Sequence, residues 1–362
     1  MRQSKARVVR QVLVGAAGHD AITNIALELA DHLNVLASCQ IHSWFEPDES
    51  VAGRISQIAR ADIGTSDDVI VYHLSYGVPE LTSWLMNRPE RIVVWYHNVT
   101  PATYFWEFDR EFAEGLEHGR REIGLLRDIT SMAVADSDFN AKELVEAGYE
   151  EVVVTPPRMS VGRLDEVGAD AAILSRIWDV FPNGFLLVVS QLLPHKRANH
   201  AVSVVHLLRE YLGLDIGLVW AGPARLSRYR NAVDMFQRML NEPGVLFLDV
   251  VSDAELAALY RGCICFVSFS EHEGLSLPPL EAMANRAPVV VRGSGAVPET
   301  VGQGAVVVPE SAGLMEFAGI LYHVIQDPIL RSDLRRRGLA HLKTVGLSSR
   351  FADVASQIVG RV

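Results

Sequence analysis

Short apolar runs alternate with helical patterns along the whole chain of 362 residues. The first run, VRQVLVGAA, precedes AITNIALELADHL, whose apolar residues repeat at helical spacing and form one face. The runs DDVIVYHLS, RIVVWYHNV, ITSMAVADS and EEVVVTPP follow, separated by helical or loop sequence. They are continuously apolar rather than alternating, which is typical of parallel strands with helices on both faces. This pattern predicts one α/β domain over residues 1–157.

The segment TPPRMSVGRLDE interrupts the pattern, because two prolines end the preceding strand and no clear period follows. It predicts a connector over residues 158–183. A second series covers residues 184–345, with FLLVVSQ, DIGLVWAG, VLFLDVV, CICFVSFS, APVVVRGSG and GAVVVP as strands. Two such series predict an α/β fold of two Rossmann-like, doubly wound parallel-sheet domains with a cleft between them. We expect ligands in that cleft, beyond the carboxyl ends of the strands.

The composition is that of a globular protein, with 49% hydrophobic and 21% charged residues. A net charge of −11 argues against a general nucleic-acid binder, which needs a basic surface. The three cysteines, Cys39, Cys263 and Cys265, show neither a disulfide framework nor the C-x-x-C spacing of zinc sites. Cys263 and Cys265 stand two apart in a predicted strand, which favours core packing on one of its sides.

The sequence has no uncharged apolar stretch of membrane-spanning length, and its first apolar run is too short for a signal peptide. We therefore expect a cytoplasmic protein. The basic start, with Arg2, Lys5, Arg7 and Arg10, fits a solvated arm at least as well as contact with the inner face of an anionic membrane. Peripheral membrane contact stays open as an alternative.

Two polar segments follow strands of the first series. Gly15 opens the loop GAAGHD, whose backbone N–H groups suit an anion at a helix N-terminus as well as they suit an ordinary turn. His97 follows RIVVWY, and its polar neighbours at a predicted cleft edge favour function over a structural role. His73, after VIVY, has a weaker claim.

In the second series, QLLPHKR follows FLLVVS and contains Gln191, Lys196 and Arg197. Lys196 suits a diphosphate as a point charge. A solvated loop lysine is the simpler interpretation of this segment taken alone.

Two glutamates, Glu273 and Glu281, stand in EHEGLSLPPLEAM, between a predicted strand and a predicted helix. Glu281 falls in the first helical turn, where the helix dipole stabilises an acid by roughly 0.3–1 kcal/mol. That reason does not extend to Glu273, nor to Gly274 and Ser276, which expose backbone N–H groups beside it. Since carboxylates accept hydrogen bonds from hydroxyl groups, the two acids suit two separate sugar diols. The residues therefore favour a ligand site.

The segment E-G-L-S-L-P-P-L-E resembles the E-x7-E element of retaining GT-B glycosyltransferases of family 4. SQLLPHKR is similar to the family's G-R-L-x-P-x-K segment, and AGP, SFSEHEG and the APVV…G…PE segment follow in family order. YHNVTPATYF, ADSDFNAKEL and GYEEVVVTPP resemble the N-terminal half and the connector of the family. The resemblance covers nearly the whole chain and is most specific in the C-terminal half.

The resemblance implies that a nucleoside diphosphate sugar, the donor, binds mainly to the C-terminal domain. Glu273 would contact hydroxyls of the donor sugar, assisted by the backbone of Leu275 and Ser276. Glu281 would hold the ribose diol, and Lys196 would bind the diphosphate.

The N-terminal domain would bind the acceptor. Gly15 and the loop after it would close over the phosphates, and His97 would face the transferring sugar. Residues 346–362, with SSRFADVASQIV, would form a helix that returns to this domain.

The sequence departs from the family pattern in three places, which comprise four residues. Gln191 stands where the family usually has an arginine, so it would bring hydrogen bonds but no charge to the donor; Arg197 or Arg292 would then compensate. Leu275-Ser276 replaces the usual Phe-Gly, and Asp249 stands at a strand end that usually carries glycine.

The resemblance implies transfer of a hexose to an acceptor hydroxyl with retention at the anomeric carbon, on one face of the sugar. The leaving phosphate would help to deprotonate the acceptor, while the protein supplies positioning and charge. The expected acceptor is a glycan, a lipid-linked molecule or a small molecule. No cofactor and no essential metal are expected, because no Asp-x-Asp element stands in a convincing place.

Two other functions stay open at this point. The same architecture suits a nucleotide-sugar epimerase, which needs no acceptor, or a phosphorylase, which needs inorganic phosphate. The uncharged Gln191 also suits a non-catalytic subunit that binds a nucleotide or a partner enzyme.

Overall fold

The computed structural model describes residues 8–18, 20–157, 161–162, 164, 167–345 and 350–360. Contacts divide the chain into two units, residues 1–159 with 348–362 and residues 160–347. Each unit has its own parallel sheet. Arg2, Lys5, Arg7 and His19 lie outside the described residues.

The first unit is built on a seven-stranded sheet in the order β3-β2-β1-β4-β5-β6-β7, with parallel pairing throughout. Its strands are β1 (Val8–Leu13), β2 (Ser38–Ser43), β3 (Ser56–Gln57), β4 (Val69–Leu74), β5 (Arg91–Tyr96), β6 (Thr130–Ala135) and β7 (Val152–Val154). The helices between them are α1 (Ala21–Leu33), α2 (Pro79–Met86), α3 (Arg110–Leu126) and α4 (Asp138–Glu146). Short 3-10 turns occupy Ile58–Arg60, Ala102–Tyr104 and Arg127–Ile129.

The second unit is built on a six-stranded sheet in the order β10-β9-β8-β11-β12-β13. Its strands are β8 (Phe185–Val189), β9 (Gly217–Ala221), β10 (Val245–Leu248), β11 (Cys265–Ser268), β12 (Val289–Gly293) and β13 (Val306–Pro309). Its helices are α5 (Ala171–Val180), α6 (Ala198–His206), α7 (Ser227–Met239), α8 (Asp253–Gly262), α9 (Pro278–Ala284), α10 (Val297–Val301), α11 (Leu314–Gln326) and α12 (Pro328–Val345). A π-turn over Leu207–Tyr211 extends α6, and 3-10 turns occupy Pro194–Lys196 and Gly302–Gly304.

The last helix, α13 (Phe351–Gly360), belongs to the first unit. It packs beside α1, and its Phe351, Val354 and Ile358 join the buried cluster formed by β1, β4, β5 and β6. The ring of Phe351 meets Trp95 edge to face at 5.3 Å between centroids. Residues from the end of the chain thus complete the first hydrophobic core.

In each sheet the strand order reverses beside the first strand, at β1/β4 and at β8/β11. Such reversals are the switch points at which open α/β sheets bind ligands, beyond the carboxyl ends of the strands. The fold therefore confirms the prediction of two doubly wound parallel sheets, and it directs attention to the loops after β1, β4, β8 and β11.

Several local predictions were wrong. Strands β2 and β3 were missed, because their sequences, SCQIHS and SQ, contain many polar residues and several of their positions are partly exposed. Cys263 is the C-cap residue that follows α8 instead of lying in a strand, and of the two cysteines only Cys265 is in β11. Arg10 is not part of a solvated arm: it is buried in β1, with Nη1 3.8 Å from Asp68 and 3.6 Å from Glu90.

Candidate functional site

A lysine–glutamate contact marks the switch point of the second sheet. Lys196 ends the 3-10 turn after β8, and Glu273 lies in the loop after β11. Lys196 Nζ donates to Glu273 Oε1 at 2.6 Å, and the two side chains are 15% and 13% exposed. The two loops are also joined through the main chain, since the N–H of Glu271 donates to the carbonyl of His195 at 2.9 Å. Two residues predicted separately from the sequence therefore meet at the expected edge.

The backbone of Glu273 is held by the loop after β12. Gly295 has φ 55°, and a Cβ there would approach the Glu273 carbonyl oxygen to 2.4 Å. The N–H of Ala296 donates to that same oxygen at 2.9 Å. Gly295, the last glycine of the GSG segment, thus allows one loop to lie against another.

The backbone of Leu275 is held from α10. Thr300 Oγ1 donates to the carbonyl of Leu275 at 2.5 Å, and His341 Nε2 lies 2.8 Å from the carbonyl of Thr300. Ser276 has φ 73°, in the left-handed region that glycine adopts at least cost. The departure from the usual Phe-Gly thus places a side chain on a backbone that favours glycine.

Glu281 lies in the first turn of α9, as predicted, and is 7% exposed. Tyr260 on α8 donates its hydroxyl to Glu281 Oε2 at 3.1 Å. Pro278 and Pro279 open the helix, where a missing N–H removes no intrahelical bond. The carboxylate is therefore fixed in direction by a hydrogen bond from α8.

Arg197 is paired with an acid of the loop after β11. It adopts φ 56° between the 3-10 turn and α6, and its Nη2 lies 2.5 Å from Glu271 Oε2. His200 Nδ1 lies 4.0 Å from Glu271 Oε1. Burial, and secondarily the charge of Lys196, holds the pKa of His195 well below its usual value, so this imidazole is neutral.

Gln191 follows β8 and is half-buried. Arg292, the other candidate for the charge that Gln191 lacks, donates from Nη1 to the carbonyl of Glu310 at 2.8 Å, and its guanidinium lies over Phe317. The charge beside Glu273 therefore comes from Lys196, with Arg197 nearby and already paired.

In the first unit, Gly15 is exposed, and a Cβ there would meet no described atom within 4 Å. The helix after the loop is capped by Asp20, whose Oδ2 accepts from the N–H of Thr23 at 2.8 Å. The N–H of Ala17 is bound to Thr23 Oγ1, and that of Gly18 to Ser50 Oγ. An anion at this turn would thus compete with side chains for two backbone donors.

His97, after β5, is held on both sides. Its Nε2 lies 2.8 Å from His73 Nδ1, and its Nδ1 lies 2.7 Å from Asp136 Oδ2. Sequence reasoning ranked His73 low and missed Asp136. Both residues could have been identified from their positions at the carboxyl ends of β4 and β6, because these strands lie on either side of β5, which His97 follows.

In the part of the chain that the structure describes, no helix is long and apolar enough to cross a bilayer. The same residues contain no cluster of three or more His, Cys, Asp or Glu side chains arranged to ligate a metal.

Comparison with known proteins matches residues 182–341 to the family described as glycosyl transferases group 1. O-antigen chain mannosyltransferase B of Escherichia coli is 26% identical over 268 residues, 72% of this chain and 68% of that protein. The MMP alpha-(1->4)-mannosyltransferase of Mycolicibacterium hassiacum is 27% identical over 243 residues, 63% of this chain. The chain spans only 51% of that second protein.

Among solved structures, HepE of Anabaena, crystallised with UDP and glucose, aligns with a TM-score of 0.67 at 14% identity. The alignment covers 98% of this chain and 96% of that one. The likeness confirms the predicted fold, two Rossmann-like domains of the GT-B type.

Proposed function

Residues 182–341 match the glycosyltransferase group 1 family, and on that premise we propose that the chain moves a hexose from a nucleoside diphosphate sugar to an acceptor hydroxyl with retention of anomeric configuration. The observation that carries the proposal is the contact of Lys196 with Glu273 at the switch point of the second sheet. A diphosphate is bound by a cation, which Lys196 supplies. A sugar hydroxyl donates to a hydrogen-bond acceptor, which the Glu273 carboxylate supplies.

The other donor contacts follow from the same loops. Glu281, fixed by Tyr260, takes the ribose diol, and the backbone of Leu275 and Ser276 assists Glu273 at the sugar. Gln191 and Arg197 supplement Lys196 at the diphosphate. In the first unit, the Gly15 loop would offer backbone N–H groups to an anion in competition with Thr23 and Ser50.

In the proposed step, the bond between the anomeric carbon and the diphosphate oxygen breaks while the acceptor oxygen bonds to the same face. The acceptor proton passes to the leaving phosphate, so the reaction uses no cofactor and no bound metal. Both ring nitrogens of His97 are engaged by His73 and Asp136, so its contribution to transfer is electrostatic. The protein supplies position and charge.

Mannose is the hexose that we propose, since both relatives described above are mannosyltransferases. The O-antigen relative supports a bacterial glycan, free or lipid-linked, as acceptor. We place the reaction in the cytoplasm, with peripheral contact at the inner membrane face where the acceptor is lipid-linked. Flotation of the protein with vesicles that contain the acceptor lipid tests that contact, and a protein that stays at the bottom contradicts it.

The experiment is release of nucleoside diphosphate from a panel of nucleotide sugars, mannose donors included, with and without EDTA. We expect turnover that EDTA leaves unchanged. Lys196→Met removes a charge from the leaving group and should lower the rate by about 10²–10³-fold. Glu273→Gln should abolish sugar transfer. The anomeric proton coupling of the product reports retention.

Two variants control for general effects of charge loss. Glu316→Gln on α11 and Lys142→Met on α4 change exposed side chains and should keep the wild-type rate. Binding without turnover of any donor would instead favour the non-catalytic subunit, and conversion of the donor with no acceptor present would favour an epimerase.

A further inference from the structure

Four side chains form a continuous line of hydrogen bonds across the first sheet. Gln11 on β1 lies 2.9 Å from His73 on β4, measured from Oε1 to Nε2. His73 Nδ1 lies 2.8 Å from His97 Nε2, and His97 Nδ1 lies 2.7 Å from Asp136 Oδ2. Gln11 and His73 are fully buried, and the side chains of His97 and Asp136 are 2% and 6% exposed. Because these side chains are buried away from water, each of the three contacts must be a hydrogen bond with one proton between its two atoms.

The first proton is fixed by the orientation of Gln11. Its Nε2 donates to the carbonyl of Ala26 at 2.8 Å, so its Oε1 is the atom that faces His73. The opposite amide orientation would bring two oxygens together at Ala26. Because an amide oxygen only accepts, His73 Nε2 carries a hydrogen.

The second proton lies between the two imidazoles. The ring planes are parallel within 3°, and a centroid separation of 5.1 Å with a nitrogen–nitrogen distance of 2.8 Å places the rings edge to edge. Two lone pairs at this distance would repel, and two hydrogens would overlap. One hydrogen must therefore lie on the line between His73 Nδ1 and His97 Nε2.

The third proton lies between His97 and Asp136. Trp95 Nε1 donates to Asp136 Oδ1 at 2.7 Å, which makes that oxygen an acceptor, and the other oxygen faces His97 Nδ1. Three hydrogen bonds thus need three protons. Two neutral imidazoles carry two, and the acid of Asp136 brings the third; once that proton rests on a ring, the line contains one imidazolium and one carboxylate.

We propose that His97 is an imidazolium ion paired with the Asp136 carboxylate, and that His73 is held neutral, with its hydrogen on Nε2, by Gln11. The charge rests on His97 because His97 is the ring that touches the carboxylate. Burial holds the pKa of His73 well below its usual value. Both oxygens of Asp136 then accept, Oδ1 from Trp95 and Oδ2 from His97, as the oxygens of an ionised carboxylate do.

The titratable groups that face this line are few among the described residues. His73, His97 and Asp136 are its own members, and Trp95 and Gln11 do not titrate. Beyond Gln11, Cys39 on β2 lies 3.5 Å from its Nε2, and burial raises the pKa of that thiol to about 11, so it is uncharged. The cation on His97 is therefore balanced by Asp136 alone among these groups.

The consequence for transfer rests on the proposed function. An imidazolium whose two N–H groups both donate inward cannot remove a proton from an acceptor hydroxyl. His97 then serves as a fixed cation at the carboxyl end of β5, and Asp136 is the positioning residue that keeps it charged.

The test is the nitrogen-15 imidazole spectrum of the full-length labelled protein at neutral pH, with His97 assigned by its loss in His97→Gln. We expect both nitrogens of His97 to be protonated in the wild type, and His73 to be the Nε2–H tautomer. In Asp136→Asn, the amide oxygen still accepts from Trp95 and the amide N–H donates to His97 Nδ1. We expect His97 Nδ1 to lose its proton in this variant.

Asp128→Asn is the matched control, since Asp128 is an exposed acid of the same unit that pairs with Arg127, and its spectrum should equal the wild type. A wild-type His97 with a single protonated nitrogen overturns the proposal, even if Asp136→Asn does not fold. So does an Asp136→Asn spectrum in which both nitrogens keep their protons. Donor turnover in the same samples judges the proposed transferase activity separately, because the spectra need no substrate.

Discussion

At the scale of the residue, Ser276 combines a left-handed backbone, φ 73°, with a side chain. That conformation costs an L-residue roughly 1–2 kcal/mol. Replacement by glycine removes this cost, but glycine also increases the conformational entropy of the unfolded chain, which offsets part of the gain. We expect Ser276→Gly to raise the free energy of unfolding by about 1 kcal/mol, measured by urea denaturation.

The control for that prediction is Ser203→Gly in α6, at a position with helical backbone. It should lower the free energy of unfolding by a similar amount, because glycine is a poor helix former. Equal losses in both variants would show that the conformation of Ser276 carries no cost.

How far the site could be predicted depended on whether its residues are neighbours in sequence. Lys196 and Glu273 were found because each lies in a short motif directly after an apolar strand. Gln11 and Asp136 were missed, because only the order β1-β4-β5-β6 brings them to the same pair of histidines. The order of the strands in the sheet cannot be read from the sequence alone.

At the scale of the element, α3 carries a buried acid on the face that it packs against α2 and β4. Glu122 is bound by Thr82 on α2, and Tyr72 on β4 donates its hydroxyl to Oε2 at 3.0 Å. Burial raises the pKa of Glu122 from 4.5 to about 7, against the opposing effect of these hydrogen bonds. The periodicity of α3 would have assigned this position to an apolar residue.

A raised carboxyl pKa means that the folded state binds more protons than the unfolded state between these two values. The contribution of Glu122 to the free energy of unfolding is therefore fully present below about pH 4.5. It is lost as the pH rises towards 7, by up to about 1.4 kcal/mol per pH unit. We expect Glu122→Gln, which stays neutral, to be more stable than the wild type above pH 7.

The measurement for Glu122 is urea unfolding of both proteins from pH 4 to 8. The difference between their free energies of unfolding cancels the groups that titrate alike in both proteins and keeps the contribution of Glu122 together with its contact to His118 at 3.7 Å. A difference that does not change with pH would contradict the prediction.

The elements themselves were predicted unevenly. The central strands of both sheets were found, because burial on both faces makes them continuously apolar. Strand β2 was missed, because its first three positions are partly exposed and polar side chains such as Gln40 and His42 interrupt the apolar signal. Next to a two-residue edge strand, it needs only partial burial to pair with β1.

At the scale of the whole molecule, the chain crosses between its units twice, since α13 completes the core of the first unit after the second has been built. Phe351 is fully buried there, between His32 on α1 and Trp95 on β5. Truncation of a buried phenylalanine typically costs about 3–5 kcal/mol. We expect Phe351→Ala to lower the protection of β1, β4 and β5 amides from hydrogen exchange by more than about 100-fold.

The contacts of Phe351 lie in the first unit, so amides of β8, β9 and β11 should keep their wild-type exchange rates in the same sample. Phe45→Ala is the control, because that side chain is exposed in the same unit and its loss should change stability by no more than about 0.5 kcal/mol. Equal loss of protection in both sheets would contradict the assignment of α13 to the first core alone. A selective loss would show that a segment separated from β5 by more than 250 residues of sequence governs the stability of the sheet that carries His97.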